Sequence, residues 1–297
     1  MQAFNVKVTV GLCVKNSELT VKEALRSVLN QDFPHGCFEL IVVDGYSRDN
    51  TMKIVRDCLQ KSDAQAEVFY ENQGLPQARQ IVVDNARGEY IVWVDGDMVL
   101  SKGFLTEQVE FMEKNLLVGI AKGKYTDKTD NNQSVVATLE NIEFLVNTML
   151  EGETGSKVLG TSGCIYRTRA LREISGFDFN IKGVGEDMDV ESRIRDAGWS
   201  LHVTSAIFYE TRRQSWRALW NEYFWHGRGG RHLFKKNWRL FNLYKMLPPV
   251  AIVAEFFRVP TAYRLTRRKI VLLLPFHYTF KRVAWFSGFV KSGFEKN

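Results

Sequence analysis

The first half of the chain alternates short apolar runs with segments in which apolar residues recur every three or four positions. The runs at 6–14, 38–43 and 90–94 have the length and the β-branched content of buried strands. Between them, 20–30 and 51–61 carry their apolar residues on one side of a helix. This alternation predicts an α/β fold with right-handed crossovers and a largely parallel sheet, which binds ligands at the carboxyl ends of its strands.

Two carboxylates one residue apart, Asp95 and Asp97, close the predicted strand at 90–94. Side chains at i and i+2 of an extended backbone point to the same side, about 7 Å apart, and a turn at Gly96 lets both contact one hard cation. Mg²⁺ or Mn²⁺ held in this way keeps coordination positions open for a nucleotide diphosphate. A charged turn that caps a strand is the simpler interpretation of Asp-x-Asp alone, and the later motifs argue against it.

The composition indicates a globular protein. With 297 residues, 45% of them hydrophobic, the chain is long enough for one large α/β domain and an appendage. Its four cysteines match no zinc-binding spacing, so we expect reduced thiols in the core. No apolar segment precedes the first predicted strand, so we expect no secretory signal and a catalytic body that faces the cytoplasm.

Charge is distributed unevenly. Residues 1–211 hold 22 basic and 31 acidic side chains, whereas residues 212–297 hold 18 basic and 3 acidic ones and five of the seven tryptophans. Basic charge interleaved with aromatic residues is typical of nucleic-acid binding or of attachment to an anionic membrane, and the apolar content favours the membrane. We therefore predict a catalytic domain at 1–211 and a helical membrane-association region at 212–297.

Two apolar segments in the second region, 247–259 and 270–280, are shorter than the roughly 20 residues needed to cross a bilayer. Flanking Lys and Arg with abundant Trp and Phe suit helices that lie among the lipid headgroups, which predicts a monotopic attachment. A helical subdomain packed on the catalytic domain, or a dimer interface, is the alternative that the sequence leaves open. The oligomeric state is open as well.

Five motifs follow one another in the order found in a known enzyme family. They lie at 42–51, 74–79, 88–97, 175–178 and 185–190. With them, the sequence over roughly residues 5–230 resembles the family 2 glycosyltransferases of the GT-A fold. The resemblance implies a Rossmann-like, mostly parallel sheet with helices on both faces, here followed by an amphipathic helical region.

The same resemblance implies contacts to a nucleotide-sugar donor. The implied contacts are Val14, Asp44, Arg79, Asp95, Gly96 and Asp97. Val14 and Asp44 correspond to contacts with the base or ribose, Asp95 to a contact with nucleotide and metal, and Asp97 to the direct metal ligand. Taken singly, Asp44 is equally consistent with a strand cap and Arg79 with a surface charge on a helix.

Asp187 corresponds to the family residue that removes the proton from an acceptor hydroxyl, which implies an inverting displacement, and Glu186 would bind the acceptor or orient Asp187. An acidic first helical turn favoured by the helix dipole is the alternative. Many relatives complete the metal shell with a histidine, and this chain offers Glu210 there as a third ligand to Mg²⁺ or Mn²⁺. The Gln and Arg-Trp motif of processive synthases is missing, so we expect one sugar per encounter.

A transferase on a membrane suggests a lipid-linked acceptor. A polyprenyl phosphate is already anionic and needs no base, so the presence of Asp187 favours a hydroxyl of a lipid-linked saccharide or glycolipid. Arginines of the second region would hold the phosphates of that lipid. They are Arg212, Arg213, Arg228 and Arg231.

We expect GDP-mannose or a UDP-hexose as donor, and a peripheral or monotopic location on the cytoplasmic face of the cell membrane. Three alternatives remain at this point: a polyprenyl-phosphate sugar synthase, a nucleotidyltransferase of the same fold, and a nucleic-acid-binding module. We expect no nucleic acid as a partner.

Overall fold

The computed structural model describes residues 6–126, 133–151, 159–181, 184–240 and 247–294. Two compact units emerge from the contacts within the chain. The N-terminal unit takes its residues from 1–126, 151–180 and 186–211, and the C-terminal unit takes its residues from 127–150, 181–185 and 212–297. The helix formed by residues 135–150 therefore groups with the C-terminal residues, although the sequence analysis assigned these residues to the catalytic domain.

The N-terminal unit is built on one sheet. Its strands are β1 (Val8–Val14), β2 (Phe38–Asp44), β3 (Gln65–Tyr70), β4 (Tyr90–Asp95), β5 (Met98–Leu100), β6 (Val118–Tyr125), β7 (Cys164–Arg167) and β8 (Ser200–Glu210). They are ordered β3-β2-β1-β4-β7-β6-β8-β5 across the sheet.

The helices complete the two units. They are α1 (Val21–Leu29), α2 (Thr51–Leu59), α3 (Leu75–Asn85), α4 (Phe104–Lys114), α5 (Val135–Glu151), α6 (Thr168–Glu173), α7 (Glu186–Asp196), α8 (Trp216–Lys236), α9 (Pro248–Thr266) and α10 (Leu274–Phe294). Of these, α8, α9 and α10 belong to the C-terminal unit together with α5 up to residue 150.

Four parallel strands, β1 to β4, form one half of the sheet. The register pairs Val14 with Asp44 and Cys13 with Asp95, so the carboxyl ends of β1, β2 and β4 lie at one edge. β7 runs antiparallel to β4 and β6, and β5 runs antiparallel to β8. The predicted α/β fold with a mostly parallel sheet is confirmed.

Helix α7 is attached to the loop before β7 by a buried carboxylate. Glu191 accepts hydrogen bonds from the backbone N–H groups of Leu159 and Gly160, at 2.8 and 2.6 Å. Burial raises the pKa of Glu191 to about 8, against the opposing effect of these hydrogen bonds. This attachment fixes the loop relative to the first turns of α7.

The C-terminal unit buries a cluster of charged side chains between α5 and α10. The ammonium of Lys281 lies 2.6 Å from both the Glu140 and the Glu143 carboxylates, and His277 lies 3.3 Å from Glu140. All four side chains are buried. Burial raises the pKa of Glu143, but Lys281 and His277 together outweigh it through their charges and hydrogen bonds and lower this pKa to about 2.

An apolar layer accompanies this cluster in the C-terminal unit. Its members are Leu139, Ile142, Val146, Ala262, Val271 and Leu274, with Trp216, Val259 and Ile270 at its margin. In the described part of the chain, every helix is either too short or too polar to cross a bilayer.

Replacing Lys281 by Met should lower the free energy of unfolding by about 3–5 kcal/mol, because two buried carboxylates lose their cation. Urea unfolding followed by tryptophan fluorescence measures this, since most tryptophans lie in 212–297. The triple variant K281M/E140Q/E143Q should recover much of the loss because it buries no unpaired charge. K235M, at an exposed lysine of α8, serves as control, and equal midpoints for K281M and K235M would contradict the argument.

The Glu191 carboxyl predicts a pH-dependent stability. Between pH 4.5 and about 8 the native carboxyl keeps a proton that the unfolded chain has lost, so the free energy of unfolding falls as the pH rises through this interval. The slope from this group is at most about 1.4 kcal/mol per pH unit. E191Q keeps a neutral acceptor for both N–H groups, so its stability should fall less steeply with pH. Parallel curves for the two proteins would contradict the assignment.

Candidate active site

The Asp-Gly-Asp turn lies at the carboxyl edge of the sheet, where β4 ends and β5 begins. A Cβ atom at Gly96 would lie 2.9 Å from Ser17 Oγ and 3.2 Å from Val14 Cγ1, so only glycine fits this approach without displacing its neighbours. The close approach sets Asp95 and Asp97 beside the end of β1. Val14 and Gly96, two of the predicted donor contacts, are thereby brought together.

Asp44 ends β2 beside Val14, and its side chain is buried. Its carboxylate accepts hydrogen bonds from the backbone N–H of Ser47 at 3.0 Å and from the Ser47 hydroxyl at 2.6 Å. These bonds hold the loop after β2, which exposes Tyr46 with its ring centroid 5.7 Å from that of Tyr70. The two tyrosines were not singled out in the sequence, because only the folded sheet brings the ends of β2 and β3 together.

Arg79 of α3 is buried and contacts two carboxylates. Its guanidinium forms an ion pair with Glu186 and lies 3.7 Å from Asp95 Oδ1. The guanidinium also lies 5.9 Å from the ring centroid of Trp93 and 6.0 Å from that of Phe177. The surface-charge interpretation of Arg79 is therefore wrong, and this residue joins the Asp-Gly-Asp turn to the start of α7.

Glu186 and Asp187 occupy the first turn of α7 in different environments. Glu186 is fully buried, and its Oε2 atom has no hydrogen-bond partner in the described chain. Burial raises the pKa of Glu186 to about 7, although the Arg79 guanidinium opposes this rise. The side chain of Asp187 is partly exposed, and its Oδ1 accepts a hydrogen bond from the Met188 N–H. Asp187 is thus the more accessible of the two acids.

The loop at 160–163, which was not singled out in the sequence, contacts both the Asp-Gly-Asp turn and the acidic first turn of α7. Ser162 donates its hydroxyl hydrogen bond to Asp95 Oδ2 at 2.6 Å. A Cβ atom at Gly160 would lie 3.5 Å from Asp187 Oδ2 and 3.9 Å from the Lys122 ammonium, which donates a hydrogen bond to the Leu159 carbonyl. The Gly-Thr-Ser-Gly run at 160–163 is the signal in the sequence, since both of its glycines adopt positive φ.

Glu210 ends β8 next to the Asp-Gly-Asp turn. The register pairs Glu210 with Met98, and the Thr211 N–H donates a hydrogen bond to the Asp97 carbonyl at 2.8 Å. Asp95, Asp97 and Glu210 do not form a group whose ligand atoms all lie within 4.8 Å of one another. Their role as a metal shell stays a prediction, supported by their common position and their hard oxygen donors.

Among the described residues, one group of three acidic or histidine side chains has its potential ligand atoms within 4.8 Å of one another, and this group lies in the C-terminal unit. It consists of Glu140, Glu143 and His277. The Lys281 ammonium already contacts both carboxylates at 2.6 Å, so this position contains a cation supplied by the chain itself. We therefore interpret the group as a buried ion-pair cluster.

The four predicted acceptor arginines belong to the C-terminal unit. Arg213 donates a hydrogen bond to Glu222 at 2.9 Å, and the Arg212 guanidinium lies 3.6 Å from the ring centroid of Phe144. Arg231 lies 5.0 Å from the ring centroid of Phe289, and Arg228 lies within α8. Their binding of an acceptor phosphate stays a prediction.

The sequence profile described as "Glycosyl transferase family 2" matches residues 9–175. An uncharacterized glycosyltransferase of Haemophilus influenzae is 32% identical over 149 residues, which are 49% of this chain and 57% of that protein. The poly(ribitol-phosphate) β-N-acetylglucosaminyltransferase TarS of Staphylococcus aureus is 32% identical over 111 residues, 37% of this chain and 19% of TarS. The chain thus spans less than two thirds of the length of each of these relatives.

Solved structures share the fold. The mannosyltransferase PcManGT of Pyrobaculum calidifontis, in complex with GDP-Man and Mn²⁺, superposes with a TM-score of 0.70 at 19% identity, over 98% of this chain and 88% of that one. The fragment 1–349 of S. aureus TarS, in complex with UDP-GlcNAc, superposes with a TM-score of 0.52 at 18% identity, over 96% of this chain and 91% of that fragment. Both show the GT-A architecture. Since the family profile covers more than half of the sequence, the chain belongs to glycosyltransferase family 2.

Proposed function

We propose that the chain transfers one hexose, with inversion, from a nucleotide sugar to a hydroxyl of a lipid-linked saccharide or glycolipid. The observation that supports this most is the link between the two acidic groups of the site. Ser162 and Arg79 contact Asp95, while Gly160 and Arg79 lie against Asp187 and Glu186 respectively. In this proposal one site thus combines Asp95 and Asp97, which bind a cation, with a separate, accessible carboxylate, Asp187, which accepts a proton.

The donor is a nucleoside diphosphate sugar, with GDP-mannose or a UDP-hexose as the first candidates. The structural neighbours were solved with GDP-Man and with UDP-GlcNAc. In this proposal the nucleotide lies at the ends of β1 and β2, against Val14 and Asp44, and beside the Gly96 backbone that packs on Val14. Tyr46 and Tyr70 form the outer side of that position.

Asp187 acts as the base in this proposal. It removes the proton of the acceptor hydroxyl while that oxygen bonds to the anomeric carbon and the bond from this carbon to the diphosphate oxygen breaks. The products are the inverted glycoside, a nucleoside diphosphate and a proton on Asp187. Glu186, held by Arg79, keeps the first turn of α7 in position rather than taking the proton, because it is buried.

The residues fit a divalent cation. Asp95, Asp97 and Glu210 present carboxylate oxygens at one sheet edge, the donor type that Mg²⁺ and Mn²⁺ prefer. When bound there, such an ion stabilises the negative charge of the departing nucleoside diphosphate.

We place the reaction at the cell membrane, with the protein attached peripherally or monotopically on the cytoplasmic face. The support is the charge of the second region, 18 basic against 3 acidic residues, together with its aromatic content. Arg212, Arg213, Arg228 and Arg231 would then hold the phosphates of the lipid-linked acceptor.

Replacing Asp97 by Asn should lower nucleoside diphosphate release about 10²–10³-fold, because the leaving group loses charge stabilisation. Chelation of divalent ions should lower release by the wild type, and added Mn²⁺ should restore it. D57N removes an exposed carboxylate of α2 and should leave release unchanged. Equal release by D97N and D57N would exclude the metal assignment, and pyrophosphate as the product would indicate a nucleotidyltransferase.

Replacing Asp187 by Asn should lower transfer to the acceptor about 10²–10⁴-fold, because the attacking hydroxyl keeps its proton. Donor binding, followed by thermal shift with Mn²⁺ present, should change little, since Asp187 contacts the acceptor side. D196N, at the exposed end of the same helix, is the matched control. Full transfer by D187N would reject Asp187 as the base.

A further inference from the structure

Helix α9 turns the charged residues before its last turn inward. Between Leu247 and Tyr263 the sequence contains two charged residues, Glu255 and Arg258. Glu255 is buried and accepts a hydrogen bond from Arg258 at 2.7 Å, and Arg258 also donates to Asn147 of α5. The opposite face of α9 exposes large apolar side chains. They are Val250, Val253, Phe256 and Phe257, the last of which is 80% exposed.

Helix α10 has the same reversed polarity. Its buried face carries His277 and Lys281, which contact Glu140 and Glu143. Its exposed face is mainly apolar, with Lys291 as an exposed charge near the end of the helix, and its apolar residues recur at helical spacing. They are Phe276, Val283, Phe286, Val290 and Phe294, the last of which is 84% exposed.

A helix surrounded by water buries its apolar face and exposes its charges. A helix that buries its charges and exposes its apolar side chains is unfavourable in water for two reasons. The charges lose their hydration, and the apolar side chains remain in contact with water. Both costs fall when the outer medium is itself apolar, as at the boundary of headgroups and acyl chains. The polarity of α9 and α10 therefore indicates a lipid environment outside this unit.

Basic residues follow the exposed apolar residues of α9 in the chain, where this helix ends. Four exposed cations occur within six positions of the chain, namely Arg264, Arg267, Arg268 and Lys269. Exposed leucines alternate with them and follow them, at 265, 272 and 273. Cations next to exposed apolar side chains match the order of an anionic bilayer, in which phosphates lie directly outside the acyl chains.

The charge also distinguishes a bilayer from a second copy of the chain. Residues 212–297 have a net charge of +15, so two copies that faced each other through this surface would bring like charges together. An anionic membrane attracts the same charges.

We propose that the exposed faces of α9 and α10, with Leu272 and Leu273, form a membrane-insertion surface that enters an anionic bilayer at the level of the headgroups. Arg264, Arg267, Arg268 and Lys269 contact the lipid phosphates beside it. This inference rests on the proposed function for its lipid-linked acceptor and identifies the surface through which the membrane is reached.

Flotation with vesicles of phosphatidylcholine and phosphatidylglycerol tests the apolar part. L272S/L273S and F256S/F257S should each lower the partition coefficient about tenfold or more, because each removes two large apolar side chains from the bilayer. The matched control is L116S/L117S, an adjacent leucine pair in the N-terminal unit, where Leu116 is 71% exposed against 70% for Leu272. The control should float like the wild type, and equal flotation of L116S/L117S and L272S/L273S would overturn the surface.

Charge reversal tests the basic part. R268E/K269E should weaken binding to the anionic vesicles by about fivefold for each cation removed, and raised salt should reduce the difference from the wild type. K53E/K61E changes the net charge equally at exposed lysines of the N-terminal unit and should bind like the wild type. If both variants lost the same binding affinity, the effect would come from net charge alone, and the proposed contact of Arg268 and Lys269 with lipid phosphates would be wrong.

Two further readouts separate this inference from its competitors. If light scattering shows a dimer that L272S/L273S converts to a monomer, and the wild type does not float, the surface is a contact between copies and the inference fails. Nucleoside diphosphate release in detergent is measured on the same variants and should stay at the wild-type level. A wild type that releases product but does not float overturns this inference and the membrane location, and leaves the proposed transfer reaction standing. A wild type that floats without release on any donor overturns the proposed transfer and leaves this inference standing.

Discussion

The buried guanidinium of Arg79 is the constraint on which the geometry of the site depends. It contacts Asp95 at the end of β4 and Glu186 at the start of α7, and it lies against the aromatic rings of Trp93 and Phe177. A buried cation without anions is costly, as is a buried carboxylate without a cation, so each of these side chains requires the others. The Asp-Gly-Asp turn and the acidic helix, 90 residues apart in the chain, are held together for this reason.

The loop at 160–163 works alongside this ion pair. Ser162 binds the carboxylate of Asp95, and the backbone N–H groups before it bind Glu191 on α7. The loop therefore contacts both the strand edge and the helix that together carry the candidate chemistry. Glu186 and Glu191 flank Asp187 in the sequence, but both side chains are buried, where Glu186 pairs with Arg79 and Glu191 binds backbone N–H groups. Asp187 is therefore the accessible acid of the three.

Buried charge serves a different purpose in the C-terminal unit. Lys281 of α10, which pairs with Glu140 and Glu143 of α5, and Arg258 with Glu255 of α9 lie on inner faces of α9 and α10, whose outer faces are mainly apolar. In water this distribution would lower solubility, because large apolar side chains are exposed. At a bilayer these side chains would contact lipid, while the charged side chains stay paired inside the unit. Within one chain, paired charges thus hold the candidate catalytic acids in one unit and lie beneath exposed apolar side chains in the other.

The sequence by itself determined the α/β class, the family, the Asp-Gly-Asp turn and the basic, aromatic second region, because strand periodicity, ordered motifs and charge are local properties of the chain. Only the tertiary structure decided that Arg79 is a buried link rather than a surface charge, that Ser162 and Gly160 belong to the site, and that α5 joins the C-terminal unit. The inward-facing charges of α9 and α10 were also hidden from the sequence, where Glu255 and Lys281 look like interruptions of apolar segments. Contacts between residues far apart in the chain settle such questions, since burial and pairing depend on which elements the fold brings together.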